Sequence, residues 1–182
     1  PLGFGHAVLM AKPIVGDEHF ALILPDDLIW SNQPVISQLM EVQRERGGNV
    51  IAAKRVKEEE IEALGIIAGN KLDNRTWHIS GVVEKPPLSN APSNLAIIGR
   101  YLLGPTVFEH LLNGKPGTGN EIQLTDAIAQ TLADEPFYAC LFDGDHIDAG
   151  TPVGMLAASI YAARRQPAFY ERVNQILNGL KH

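Results

Sequence analysis

Short apolar segments separated by helix-like segments constrain the fold of this chain more than any other feature. Segments of strand length that are rich in apolar residues lie at residues 20–24, 50–56, 77–83, 95–103 and 137–142. Short apolar runs are typical of strands that are buried on both faces. Their alternation with helices favours an α/β fold with a largely parallel sheet. The length of 182 residues predicts a single domain, because a domain holds roughly 150 residues.

Proline and glycine mark the predicted helix boundaries. Pro34 begins a helix that runs to residue 46 and ends at Gly47-Gly48, and Thr151 caps a long final helix with Pro152 at its first position. Pro167 divides that helix, so a second piece runs to about residue 177. The remaining expected elements are a charged helical turn at 57–62, a strand at 65–67, a turn at Gly69-Asn70, a helix at 106–112 capped by Thr106, a Gly-rich loop at 113–120 and a helix at 121–133.

Charge and cysteine content limit the class of protein. Lys and Arg number 15 and Asp and Glu number 21, which gives a net charge of −6. This acidic balance argues against general nucleic-acid or anionic-membrane binding, which would require a basic surface. The only cysteine, Cys140, lies in an apolar segment and is expected in the core rather than as a nucleophile. No apolar run approaches the roughly 20 residues that cross a bilayer, and residues 1–10 lack a signal-peptide pattern. We therefore expect a cytoplasmic protein.

Three carboxylates are candidate metal ligands. Asp26 and Asp27 closely follow the apolar segment 20–24, and Asp148 is expected at the end of a late strand, just before the helix capped by Thr151. Ligands of open α/β sheets bind beyond the carboxyl ends of the strands, and carboxylates there can hold Mg²⁺. The alternatives are ordinary turns at both places. His146 and Asp148 would also suit a metal-dependent hydrolase, but no third ligand has a recognisable spacing.

Glu84-Lys85-Pro86 ends the segment 77–83 and is a candidate sugar-phosphate site. A glutamate there can accept hydrogen bonds from sugar hydroxyls, and the adjacent lysine can bind a phosphate. The alternative is an exposed ion pair on the surface.

Two glycine-rich stretches do not by themselves indicate a nucleotide-binding loop. Gly3-Phe-Gly-His-Ala-Val8 has valine where a dinucleotide fingerprint has its third glycine, and Asn120 stands where a Walker loop requires lysine.

Six sequence stretches together resemble a known family. They are Gly3-Phe-Gly-His-Ala-Val, Leu24-Pro-Asp-Asp, Val83-Glu-Lys-Pro, Ser93-Asn-Leu-Ala-Ile-Ile-Gly-Arg-Tyr101, Gly119-Asn-Glu-Ile-Gln-Leu-Thr-Asp-Ala127 and Asp148-Ala-Gly150. In this order they resemble the bacterial UTP–glucose-1-phosphate uridylyltransferases, which are sugar nucleotidyltransferases. The resemblance covers nearly the whole chain, and its middle and late stretches are long.

The resemblance implies a Rossmann-like α/β nucleotidyltransferase fold with a mixed, mostly parallel sheet flanked by helices. It implies that UTP and α-D-glucose 1-phosphate give UDP-glucose and pyrophosphate. In this interpretation Asp26 and Asp148 hold the catalytic Mg²⁺, and Lys85 contacts the sugar phosphate. The same resemblance assigns Glu84 and the backbone at Gly65 and Ile97 to the glucose hydroxyls, and Gly3 to the loop that approaches the uracil.

The chain departs from the family pattern in two places. The family begins with a Gly-rich loop that carries Arg and Lys and wraps the triphosphate, and this sequence starts after it. Residues 1–182 alone are therefore expected to form no UDP-glucose. The usual Asp-Cys-Gly is here Asp148-Ala-Gly150, and Thr151-Pro-Val-Gly154 replaces the common Asn-Lys-Leu-Gly.

Two alternatives to uridylyl transfer stay open. In the first alternative the protein is a thymidylyl- or cytidylyltransferase for a sugar 1-phosphate. In the second it is a non-catalytic module that binds sugar phosphates. The apolar faces of the C-terminal helices, from about residue 151, predict a homo-oligomer, either a dimer or a tetramer.

Overall fold

The structure, a computed structural model, describes residues 2–114, 117 and 120–180. The chain forms two compact units. The larger unit contains the residues as far as Ile23 together with Gln33–Asp143. The smaller unit contains Leu24–Asn32 and the residues from Gly144 onward. The single domain that the length indicates stays a prediction.

A strand forms at each of the predicted apolar segments, and helices lie between most of them. The strands are β1 Phe20–Ile23, β2 Asp27–Trp30, β3 Asn49–Arg55, β4 Gly65–Lys71, β5 Thr76–Glu84, β6 Leu95–Leu103, β7 Phe137–Leu141 and β8 Asp145–Asp148. The α-helices are α1 Phe4–Leu9, α2 Lys12–Val15, α3 Val35–Arg46, α4 Glu58–Ile61, α5 Val107–Asn113, α6 Leu124–Thr131, α7 Pro152–Arg164 and α8 Pro167–Gly179, with a short 3-10 turn at Leu88–Asn90.

The sheet of the larger unit is mixed, with the order β1-β6-β3-β7-β5-β4 and a further pairing of β6 with β4. The mixed sheet is confirmed, but the expectation that it is mostly parallel is wrong. Among the described strands only β3 and β7 pair in parallel, and the other pairs are antiparallel. Connection length explains the antiparallel β4–β5 pair, since a parallel pair needs a crossover of about a dozen residues. Residues 72–75, which join β4 to β5, are too few for one.

Strand β3 lies in the centre of the larger unit. Val50, Ile51 and Ala52 are fully buried, and β6 is buried along nearly its whole length, which confirms both predictions. Strand β1 is different, because among the described strands it pairs with β6 alone, at the edge of the sheet, and its residues alternate between half-buried and exposed. The interpretation of segment 20–24 as a strand buried on both faces is therefore wrong.

Cys140 lies in the core, as predicted. Its side chain is buried in β7, and burial raises the pKa of its thiol. A neutral, inaccessible thiol is a poor nucleophile.

The turn between β4 and β5 lies later than predicted. Gly69 and Asn70 belong to β4, where the register shifts between Ala68 and Gly69. A Cβ at Gly69 would come within 2.3 Å of the His78 carbonyl oxygen, so this glycine serves a β-bulge rather than a turn. The chain reverses at residues 72–75, where the Asp73 carboxylate accepts hydrogen bonds from the backbone N–H groups of Arg75 and Thr76 at 2.9 and 2.8 Å.

Several helix predictions are confirmed. Helix α3 ends at Arg46 before Gly47, whose φ is +73°, and Pro167 begins α8. The Gly154 N–H donates to Thr151 Oγ1 at 3.0 Å, so Thr151 caps α7. Thr106 makes no side-chain cap of α5, because its hydroxyl donates to Glu135 Oε1 instead. In the predicted loop 113–120, residues 115, 116, 118 and 119 lie outside the described residues.

The smaller unit contains a two-stranded antiparallel sheet of β2 and β8. Neither strand was expected, because Asp27–Trp30 and Asp145–Asp148 are short and begin with acidic residues. Helices α7 and α8 pack against each other. Of the described residues of this unit, only Ala149 and Ala158 are buried. Over the described part of the chain, no helix is long and apolar enough to cross a membrane.

Gln38 in α3 is a buried polar side chain whose hydrogen bonds are satisfied within the larger unit. It is 1% exposed. Its amide nitrogen donates to the carbonyls of Gln33 and Asp143, and its oxygen accepts from Arg75 and from the Asp143 N–H, all at 2.8–3.0 Å. We expect Gln38→Leu to lower the free energy of unfolding by about 1–3 kcal/mol, because these groups lose their partner. Urea denaturation measures this loss.

The matched control is Gln130→Leu, at an exposed position of α6. It is expected to change the free energy of unfolding by less than about 0.5 kcal/mol. Equal losses in the two variants would contradict a specific role for Gln38.

Candidate functional site

Two of the predicted metal ligands converge in the smaller unit. Asp26 directly precedes β2, and Asp148 ends β8. The strand register sets Asp27 opposite Asp148, and the Ala149 N–H donates to the Asp26 carbonyl at 2.8 Å. A Cβ at Gly150 would lie 3.0 Å from Asp148 Oδ1 and 3.1 Å from Asp26 Oδ2. The two carboxylates therefore reach the same point, and we call them the acidic pair.

The acidic pair has the donor set that a hard cation requires. Both side chains are exposed, so charge on the two carboxylates does not carry the cost of burial. Mg²⁺ is usually held by one or two carboxylates together with substrate phosphates, and the acidic pair fits this pattern. Asp148 Oδ1 also accepts a hydrogen bond from the Gly150 N–H at 2.7 Å, so the turn that is the alternative to a metal site is present as well.

His146 and Asp27 form a separate pair beside the acidic pair. His146 Nε2 lies 2.5 Å from Asp27 Oδ1, and the two side chains are 10% and 16% exposed. The described residues contain no group of three or more His, Cys, Asp or Glu side chains placed to hold a metal. The hydrolase interpretation of His146 and Asp148 therefore gains no third ligand from the described residues.

The predicted sugar-binding residues converge in the larger unit. Gly65 lies opposite Glu84 in the β4–β5 register. A Cβ at Gly65 would lie 3.3 Å from Ile97 Cδ1, 3.4 Å from Glu84 Oε2 and 3.6 Å from Thr125 Oγ1. We call the space over Gly65, bounded by these three side chains, the Gly65 cradle. It joins an apolar wall to a carboxylate and a hydroxyl, as a sugar-binding surface requires.

Thr125 is the residue of the cradle to which sequence reasoning assigned no role. Its hydroxyl donates to Glu84 Oε2 at 2.6 Å. Thr125 lies at the second position of α6, within the stretch Gly119–Ala127 quoted for the resemblance. The signal was present as part of that motif, but nothing local marks a threonine at a helix start as the partner of a distant glutamate.

Lys85 directly follows Glu84 in the chain and has an unusual backbone conformation. Its φ is +45°, although a proline, here Pro86, favours an extended conformation in the residue before it. The Lys85 N–H donates to the Leu64 carbonyl at 3.0 Å. The side chain is 54% exposed and its Nζ lies 3.8 Å from Glu84 Oε1. The surface ion pair considered as the alternative is thus present, and the amine is open to a ligand. A left-handed backbone at a bulky residue is characteristic of functional sites.

Gly3 lies against the segment before α6. Its φ is +95°, and a Cβ would come within 2.5 Å of Glu121 Cβ and 2.9 Å of the Ile122 carbonyl oxygen. The Ile122 N–H donates to the Leu2 carbonyl, and the Gly5 N–H donates to the Ile122 carbonyl, both at 2.8 Å. Close packing therefore explains this glycine, and its approach to a uracil stays a prediction.

The backbone of Lys85 gives a stability test that separates strain from side-chain loss. We expect Lys85→Gly to be more stable than Lys85→Ala by up to about 1 kcal/mol, because glycine relieves the left-handed conformation. Both variants lose the amine, so the difference reports the backbone alone. Thermal or urea unfolding of the two variants measures it.

The control uses Lys54, which is half-buried in the ordinary strand β3. There Lys54→Gly is expected to be less stable than Lys54→Ala by roughly 0.5–1 kcal/mol. The same sign at both lysines would show that Lys85 carries no strain.

Comparisons with known proteins agree on one family. The sequence model described as "Nucleotidyl transferase" matches residues 1–164. The UTP–glucose-1-phosphate uridylyltransferase of Staphylococcus haemolyticus is 42% identical over 178 residues, which are 98% of this chain and 62% of that protein. UDP-glucose pyrophosphorylase complexed with UDP-glucose gives a TM-score of 0.86 at 38% identity, covering 90% of this chain and 63% of the solved one.

A second solved structure, UTP-bound UGPase from Acinetobacter baumannii, gives a TM-score of 0.85 at 34% identity. It covers 100% of this chain, and the chain covers 63% of it. The chain thus spans less than two thirds of the length of these relatives.

Proposed function

Because this chain belongs to the nucleotidyl transferase family, we propose that the protein containing it makes UDP-glucose and pyrophosphate from UTP and α-D-glucose 1-phosphate. The proposal rests on the Gly65 cradle. There the Thr125 hydroxyl donates to Glu84 Oε2 at 2.6 Å, beside a glycine. Similarity to proteins named as UTP–glucose-1-phosphate uridylyltransferases supports the choice of UTP and glucose.

The cradle suits a hexose for three reasons. The Glu84 carboxylate is 16% exposed, so it is partly desolvated and its hydrogen bonds to sugar hydroxyls are strong. Thr125 occupies Oε2, and a ligand hydroxyl can donate to Oε1 when the exposed Lys85 ammonium, 3.8 Å from Oε1, moves away. Gly65 leaves room for a pyranose ring near the backbone, and Ile97 offers an apolar contact for its C–H groups.

Lys85 is assigned to the phosphate of glucose 1-phosphate. It is adjacent to Glu84 in the chain, and its exposed ammonium can move from Glu84 Oε1 at 3.8 Å to a phosphate oxygen. An ammonium binds phosphate as a point charge. By offsetting the negative charge of the sugar phosphate, Lys85 allows that phosphate to approach a second polyanion.

The acidic pair is assigned to the divalent cation. Asp26 and Asp148 would hold Mg²⁺, which when bound offsets the charge of the triphosphate and of the departing pyrophosphate. The chain's own contribution is to keep two carboxylate oxygens converged near Gly150.

The reaction needs alignment rather than a protein nucleophile. A phosphate oxygen of glucose 1-phosphate attacks the α-phosphorus of UTP, and the bond from that phosphorus to the bridging oxygen of pyrophosphate breaks. The chain binds and orients the sugar phosphate through Glu84 and Lys85, and such positioning supplies a large part of the rate. Cys140, buried and with a raised pKa, takes no part.

The test is an activity screen of the full-length protein with four nucleoside triphosphates and several sugar 1-phosphates, followed by pyrophosphate release. UTP with glucose 1-phosphate is expected to give the highest kcat/KM. A preference for dTTP or CTP would identify a thymidylyl- or cytidylyltransferase. Sugar-phosphate binding without pyrophosphate release would identify a non-catalytic module. The homo-oligomer, the cytoplasmic location and the absence of a nucleic-acid partner stay predictions.

Loss of either member of the acidic pair should abolish most of the turnover. We expect Asp26→Asn and Asp148→Asn each to lower kcat by roughly a hundredfold or more, because a neutral amide does not balance the charge of a divalent cation. Steady-state kinetics at saturating Mg²⁺ measures this. The control is Asp17→Asn, at an exposed position, and near wild-type turnover in either test variant would remove that residue from the metal site.

Glu84 and Lys85 should act on the sugar phosphate. Glu84→Ala and Lys85→Ala are each expected to raise the KM for glucose 1-phosphate by roughly ten- to a hundredfold, since each loses a charged hydrogen bond. The KM for UTP should change much less in Glu84→Ala. The matched control is the ion pair of Lys57 and Glu59, 3.6 Å apart and 80% and 75% exposed, whose alanine variants should keep normal kinetics. Normal kinetics at Glu84 and Lys85 too would make them an ordinary surface pair.

A further inference from the structure

We propose that His146 is a positioning residue: by holding Asp27, it leaves Asp26 free to converge with Asp148 and sets the spacing of the acidic pair. This inference rests on the metal role proposed for Asp26 and Asp148. It resolves which of two adjacent carboxylates is the ligand, a choice that the sequence Asp26-Asp27 leaves open.

The strand register places three of the groups on one face of the two-stranded sheet. Asp27 lies opposite Asp148, and His146 lies opposite Ile29. Alternate residues of a strand share a face, so His146 and Asp148 point to the same side as Asp27. His146 is thus the diagonal neighbour of Asp27 across the strands.

Without a partner, Asp27 would interfere with the acidic pair. It is next to Asp26 in the chain and directly across from Asp148, and like charges directly opposite each other in a sheet are destabilising. His146 Nε2 lies 2.5 Å from Asp27 Oδ1. A carboxylate only accepts hydrogen bonds, so the imidazole N–H donates, and the Asp27 carboxylate is directed to His146.

Few buried side chains hold the acidic pair in place in the smaller unit. Only Ala149 and Ala158 are buried among its described residues, and a two-stranded sheet is marginally stable by itself. The backbone pairing of β2 with β8 and the hydrogen bond from the Ala149 N–H to the Asp26 carbonyl join the two segments, and bridges between polar side chains add to this backbone pairing. The His146–Asp27 bridge is well protected, with side chains 10% and 16% exposed. It joins the segment that carries Asp26 to the segment that carries Asp148.

The opposite end of β8 is fixed by different groups. Asp145 accepts hydrogen bonds from Tyr161 and from Arg165, the latter at 3.1 Å. Tyr161 also packs on Trp30 with ring centroids 4.7 Å apart. This second cluster anchors the strand to α7 without touching Asp26 or Asp148 in the contacts described. It provides a control for general loosening of the unit.

The experiment measures binding of Mn²⁺, a spectroscopic substitute for Mg²⁺, to the full-length protein. Titration in the presence of UTP and without glucose 1-phosphate prevents turnover, and water-proton relaxation reports the protein-bound Mn²⁺–UTP complex. Removing a direct hydrogen-bond partner of a metal ligand typically weakens metal binding by about ten- to a hundredfold. His146 acts on Asp26 indirectly, through the adjacent Asp27. We therefore expect His146→Phe, which keeps a ring but loses the N–H, to weaken Mn²⁺ binding by about tenfold, the lower end of that range.

Two variants distinguish positioning from a merely structural role. His146→Gln, which keeps an N–H donor, should bind Mn²⁺ within about threefold of wild type, and so should Arg165→Met at the other end of β8, because neither removes the bridge to Asp27. Equal weakening in His146→Phe and His146→Gln, or weakening in Arg165→Met, would overturn the proposal. Circular dichroism melting curves establish that each variant is folded.

Asp27 supplies a second test that does not depend on His146 variants. Asp27→Asn still accepts a hydrogen bond from His146, so Mn²⁺ affinity should fall by at most about threefold, whereas Asp26→Asn should lose at least about tenfold. A large loss in Asp27→Asn would make Asp27 itself a ligand and overturn the proposal.

The outcomes also separate this proposal from the metal site on which it rests. Loss of binding in Asp26→Asn and Asp148→Asn, with wild-type binding in His146→Phe, overturns only the positioning role. Unchanged binding in Asp26→Asn and Asp148→Asn overturns the metal site, and the positioning role with it.

Discussion

The antiparallel pairing of β4 with β5 is the constraint on which the Gly65 cradle of the larger unit depends. Its register places Gly65 opposite Glu84, and the turn closed by the Asp73 carboxylate sets that register from the other end. The bulge at Gly69 alters the pairing once, and the His78 carbonyl leaves no room there for a Cβ. Because a register slip by one residue turns every side chain to the opposite face, Glu84 would then point away from Thr125.

Much of the α/β fold could be predicted from the sequence, because burial and helix ends leave local signals. Strands β3 and β6 are apolar along most of their length, and Gly47 and Thr151 stand where a helix ends and begins. The nucleotidyltransferase fold implied by the resemblance is confirmed by a TM-score of 0.86 with UDP-glucose pyrophosphorylase. Strand direction was not predictable in this way, because it depends on long-range pairing such as β3 with β7.

The candidate site was also predictable only in part. Gly65, Glu84 and Ile97 lie together, and Asp26 meets Asp148. The positions of Glu84, Asp26 and Asp148 after apolar segments mark them as candidates, whereas the roles of Gly65 and Ile97 are implied only by the resemblance. What the sequence could not supply is the partner of each acid. Thr125 reaches Glu84 across 41 positions and His146 reaches Asp27 across 119. Pairs so far apart are joined only by tertiary structure, so no local pattern reveals them.

The two units support their carboxylates by different means, because Glu84 is partly buried whereas Asp26 and Asp148 are exposed. Glu84 ends β5 and is 16% exposed, and the neutral Thr125 hydroxyl that donates to it offsets the partial loss of solvent around its carboxylate. In the proposed metal site Asp26 and Asp148 both carry charge, which a desolvated environment would oppose. They therefore lie exposed on a small sheet with few buried residues. There a hydrophobic core cannot set their spacing, which depends on the backbone pairing of β2 with β8 and, in our proposal, on the hydrogen bond of His146 with Asp27.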